Sequence, residues 1–103
     1  MRIWPILLLS FSLFTYSQSE EHLAMCESLK GLATAIMQNR QQEVDLSKMI
    51  NLAQDSEEPI RSAMIEMIIL AYEEPAYSSE SYQLNSVKKF SNLVYLECIK
   101  SSK

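Results

Sequence analysis

Two cysteines, one histidine and a set of carboxylates are the residues through which this 103-residue chain has access to chemistry. Cys26 and Cys98 stand far apart in sequence. No Cys-x-x-Cys pair is present, so a redox-active dithiol of the usual spacing is not expected. His22 is the single histidine, close to the start of the mature chain, where it reads as a solvated surface residue. No serine or cysteine is spaced around it as a nucleophile with an orienting third group. Two cysteines and one histidine give at most three Cys/His ligands, too few for a structural zinc site, so no metal is expected. Met64 and Met67 lie one helical turn apart, as a soft Cu(I) pair would, but on an apolar face where gap-filling is the simpler role. Glu57, Glu58, Glu66, Glu73 and Glu74 cluster at helix ends and on a solvated face rather than facing each other across a cleft. A carboxylate-based hydrolase is therefore a distant alternative. The expectation is no catalytic residue, no cofactor and no enzyme.

The elements that position these groups begin with a leader. Arg2 gives a short positive start, and Ile3–Phe14 is apolar apart from Ser10 and Ser12. Thr15 and Ser17 put small residues at the −3 and −1 positions of a cleavage site, with Ser19 a second choice. Residues 1–17 thus read as a secretory signal peptide, and 18–103 as a single helical domain. The apolar run falls short of the roughly 20 residues a spanning helix needs, so no stable membrane span is expected after cleavage. Cys26 follows Met25 and a polar Glu20-Glu21-His22 stretch, which does not suit lipidation.

Export sets the redox environment. An exported chain with two distant cysteines reads as one disulfide, with intermolecular pairing and free thiols as the competing readings. The 9 Lys and Arg against 13 Asp and Glu give a net charge of −4, which becomes −5 when Arg2 leaves with the leader. An acidic chain without clustered basic residues is not a nucleic-acid binder. Gly31 is the only glycine, which excludes Rossmann and P-loop phosphate cradles. The charge is uneven: residues 18–74 carry 11 acids and 4 bases, and residues 75–103 carry 2 acids and 4 bases. Such a field steers cationic partners, although solvated helix faces also produce it by chance.

Four helical segments follow from hydrophobic periodicity, three long and one short. They predict an all-α, orthogonal or bundle-like four-helix domain stapled by one disulfide. The first runs over about Glu20–Asn39, with Leu23, Cys26, Leu29, Leu32, Ala33, Ile36 and Met37 as its stripe. Gly31 in its middle suggests close approach of another helix. The second, Leu46 to about Gln54, has Asp45 as its N-cap and Leu46, Met49, Ile50 and Ala53 on one face. Ser56 is the expected cap of the third, with Glu57, Glu58 and Pro59 in its first turn, and it runs to about Glu73. Ile60, Ala63, Met64, Met67, Ile68, Ala71 and Tyr72 form its broad face, which Ile65, Ile69 and Leu70 widen nearly all round, so it should be the most buried. The fourth spans about Glu80–Lys100, capped by Ser79, with Leu84, Val87, Phe90, Val94 and Cys98 as its stripe.

The loops hold the candidate binding residues. Arg40 and Gln41 follow the first helix, and Pro75 and Tyr77 lie between the third and fourth. Arg and Tyr are common interaction anchors, and loops carry function more often than helix faces. The structural alternatives are that Arg40 binds carbonyls at the end of the first helix and that Tyr77 plugs the domain edge.

Cys26, the Ile36–Gln41 stretch, Ala71–Ser78, Phe90-Ser91-Asn92 and Tyr95–Cys98 together resemble a group of small exported two-cysteine helical bacterial proteins that has no settled function. The resemblance covers roughly Cys26–Lys100 and implies export and helicity, with no activity. That group commonly has Gly where this chain has Glu43, which argues against a tight turn there. The general plan is also similar to the small acid-stress chaperones of the bacterial periplasm, without a motif match. The expected protein is periplasmic or secreted. It would be a non-enzymatic interaction module for a protein or cell-envelope component, with an acid- or stress-chaperone role as the alternative.

Overall fold

The computed structural model describes residues 19–101, which form four helices and, among the described residues, no strand. The expected leader, residues 1–17, lies outside the described residues. The helices are α1 (Glu20–Gln41), α2 (Leu46–Gln54), α3 (Ile60–Tyr72) and α4 (Glu80–Lys100). None is long and apolar enough to cross a membrane.

Ser19 and Ser79 accept backbone N–H bonds from His22 (2.9 Å) and Tyr82 (3.2 Å), so both long helices start on the serine caps their sequences carry. Asp45 begins α2 by position only, with no side-chain cap bond. Ser56 does not cap α3. That role passes to Glu58, whose carboxylate accepts from the Ser62 N–H (3.2 Å) and the Ser62 hydroxyl (2.7 Å), because α3 starts only after Pro59. Hydrogen bonding by Ser62 is the main reason the Glu58 carboxyl titrates below its ordinary value. Slight desolvation opposes the shift, and the Arg61 charge adds to it.

The turn after α1 is tight despite the absence of glycine. Glu43 adopts φ 62°, and Val44 N–H reaches back to the Asn39 carbonyl at 3.0 Å, the reverse bond that ends a helix in a left-handed residue. That bond carries α1 two residues beyond Asn39.

α1 is the central element. α4 runs antiparallel along most of its length, with Cys98 bonded to Cys26 at one end (Cα atoms 5.6 Å apart) and Ser86 beside Gln41 at the other. α3 also lies on α1, and α2 folds against α3. The core is Ala33, Ile36 and Met37 of α1, Met49 and Ala53 of α2, Met67, Ile68 and Ala71 of α3, and Phe90 of α4.

Three expectations change. α3 is not covered all round: α1 and α2 pack against it, but Ile60, Ile69 and Leu70 stay exposed. Leu84 is 62% exposed, since Ser86 already faces the last residue of α1 and the preceding turn of α4 projects past it. Gly31 is not a close-approach site. A β-carbon there would meet nothing within 4 Å.

Candidate functional site

The four loop residues singled out in the sequence come together, and hydrogen bonding is what assembles them. Gln41 is the last residue of α1, 5% exposed. Its amide nitrogen donates to the Pro75 carbonyl (2.9 Å), with Ser86 Oγ and Met37 Sδ each at 3.4 Å, and its amide oxygen accepts from the Tyr77 N–H (2.8 Å). Gln41 therefore clasps the α3–α4 loop from both sides of Ala76. Arg40 Nε donates to the Glu74 carbonyl (2.8 Å) while its guanidinium lies 5.1 Å from the centre of the Tyr72 ring. Arg40 thus serves carbonyls at the end of α3 rather than of its own helix. Tyr72 in turn donates to the Val44 carbonyl at 2.6 Å. Burial pushes its phenol pKa up, against the opposing charge of Arg40.

These bonds occupy most of the polar atoms that sequence reasoning offered to a partner. What remains open is aromatic. Tyr77 and Tyr82 meet edge to face with ring centres 5.7 Å apart, and Tyr82 is 63% exposed. They form the lip of a pocket of about 390 Å³ whose other walls are Met37, Glu74, Asn85, Lys89 and Phe90.

A second pocket of about 390 Å³ continues the first, and Leu93 lines both. α3 and α4 both rest on α1 but barely touch each other, which leaves a crevice between them. Its floor is Met25 and Leu29 of α1, with Met67 and Leu70 of α3 on one wall and Leu93 and Val94 of α4 on the other; Glu66 and Glu97 line it too. Leu70 and Leu93 remain 47% and 48% exposed. Sequence reasoning missed this surface. The available signal was an excess: Ile69 and Leu70 exceed what one buried face of α3 requires, and Leu93 and Leu96 stand off the stripe of α4.

His22 sits elsewhere, and not in solvent. It is half-buried against the staple, with Nε2 donating to the Cys98 carbonyl (3.0 Å) and lying 3.5 Å from Cys26 Sγ. Helical spacing explains this, because His22 and Cys26 are four residues apart on one face of α1. One imidazole nitrogen and both sulfurs lie within 4.8 Å of one another, but the sulfurs are joined in the disulfide. The chain matches no protein-family model, no curated protein and no solved structure.

Proposed function

We propose that this protein is a non-enzymatic interaction module of an oxidising, non-cytoplasmic compartment, the periplasm or the secreted medium, which holds a protein or cell-envelope component in the α3–α4 crevice. One observation carries the reading. A small domain leaves Met25, Leu70 and Leu93 about half exposed, all three lining one crevice, although one core already organises all four helices. Contiguous apolar surface framed by polar residues marks a docking site. The Cys26–Cys98 bond holds α4, one wall of the crevice, on α1, its floor.

The test compares the mature, oxidised protein with a Leu70→Ser/Leu93→Ser double variant in pull-downs from envelope extract. Both side chains are half exposed, so the variant keeps the helical circular dichroism and melting temperature. A partner retained by the wild type and lost by the variant supports the module; equal recovery by both removes the crevice from the function.

A second reading has its own observation. Glu66 and Glu97 line the apolar crevice, and their protonation in acid would leave that surface uncharged and receptive to unfolded clients, as an acid-stress chaperone requires. Dye binding and client-aggregation assays at about pH 3 decide it, and a compact, inert protein there ends this alternative.

A further inference from the structure

We infer that the occupant of the crevice is a cationic amphipathic helix of a partner protein; this deepens the docking reading above and rests on it. Shape comes first. The lining of the two joined pockets runs along α4 from Tyr82 to Ser101, which at 1.5 Å per residue is about 28 Å, the length of a helix of about 18 residues. Along Leu93–Ser101 the walls are α3 and α4; along Tyr82–Leu93 Glu74 and Tyr77 of the α3–α4 loop stand opposite α4; α1 is the floor of both stretches, an arrangement into which a helix lays its apolar side. Met25, Met37 and Met67 contribute unbranched, polarisable thioethers to the lining, side chains that adapt to an incoming apolar surface.

Charge then selects among occupants. Among the described residues Glu66, Glu74 and Glu97 line the crevice against one cation, Lys89, and Lys100, beside Glu97 at 3.7 Å, offsets one of the three carboxylates in part. Residues 18–74, which supply the floor and one wall, carry 11 acids and 4 bases. A second copy would bring the same carboxylates to meet these, and an anionic lipid surface would be repelled likewise. A helix with Lys or Arg flanking its apolar stripe satisfies both the leucines and the carboxylates.

The test uses three dye-labelled model peptides of about 18 residues: Leu and Lys in helical register, the same composition scrambled, and Leu with Glu for Lys. Each is titrated by fluorescence anisotropy into the mature, oxidised protein at low and at moderate salt. The register Leu/Lys peptide is expected to bind at least about tenfold more tightly than the other two, and to weaken as salt rises. Leu70→Ser/Leu93→Ser should cost about tenfold, and Glu66→Gln/Glu97→Gln a few-fold with a shallower salt dependence. Equal binding of the Lys and Glu peptides, still abolished by the leucine variant, overturns the cationic partner and leaves the crevice standing. Binding indifferent to the leucine variant overturns the crevice itself. No peptide binding, together with a dimer in size-exclusion chromatography that the leucine variant dissolves, assigns the crevice to a second copy and overturns the inference.

Discussion

Replacement of Gln41 tests most directly how the α3–α4 loop is held. Gln41→Ala removes two good hydrogen bonds, to the Pro75 carbonyl (2.9 Å) and from the Tyr77 N–H (2.8 Å), and empties a 5%-exposed site. Each lost bond costs about 1 kcal/mol, and a partly buried group left unpaired adds a further fraction, so the expected loss is about 2–3 kcal/mol. In a domain of this size that lowers the melting temperature by about 8–20 °C. Gln41→Glu separates hydrogen bonding from packing. The carboxylate keeps an acceptor for Tyr77 but turns a negative oxygen toward the Pro75 carbonyl, and burial favours its neutral form. Its folded-state pKa then lies above the unfolded value, so the protonated form is the one folding prefers. The penalty relative to wild type at the same pH should be large at pH 7 and shrink toward pH 4, where the protonated group can donate to Pro75 again. Thermal melts by circular dichroism at both pH values provide the readout. A loss under about 0.5 kcal/mol for Gln41→Ala, or a Gln41→Glu penalty independent of pH, refutes the clasp.

Gly31→Ala should stabilise the protein by about 1 kcal/mol in urea melts, since a mid-helix glycine gains a β-carbon with nothing within 4 Å to clash. Glu43→Gly should do the same by about 1 kcal/mol, because φ is 62° there and only glycine adopts it freely. Cys26→Ser/Cys98→Ser opens a link across a sequence separation of 72, worth about 4 kcal/mol in the chain-entropy model. Its melting temperature should fall by about 15–30 °C in calorimetry, and a fall under about 5 °C contradicts that account. The Glu58 carboxyl is held below its ordinary value of 4.5, so its contribution is present above that pH and lost as pH falls through the lower, folded-state value. Glu58→Gln should therefore be less stable than wild type at pH 7, with the difference closing as pH falls below 4.5 through the folded-state value.

Much of the fold was legible in the sequence by itself. Periodicity placed four helices, with every end within two residues except the start of α3, which begins at Ile60 rather than directly after Ser56; an apolar stripe at helical spacing is how these segments bury surface. The serines at positions 19 and 79 marked both long-helix starts, since their hydroxyls satisfy backbone N–H groups a few residues away. The sulfur pairing followed from two cysteines lying on the inward stripes of the first and last helices. Apart from the Ser56 cap and the turn at Glu43, what failed depended on a neighbour distant in the chain. Apolarity round α3 read as burial, but whether Leu70 is covered depends on how closely α4 approaches, and periodicity within one helix carries no information about that distance. Arg40 and Gln41 stood out as polar residues in a loop, but only the packed chain turns Gln41 inward, 34 residues from the carbonyl it binds. His22 looked solvated because its shelter is Cys98, at the far end of the sequence. Local spacing decides which face a side chain takes, and the docking of helices decides what that face meets.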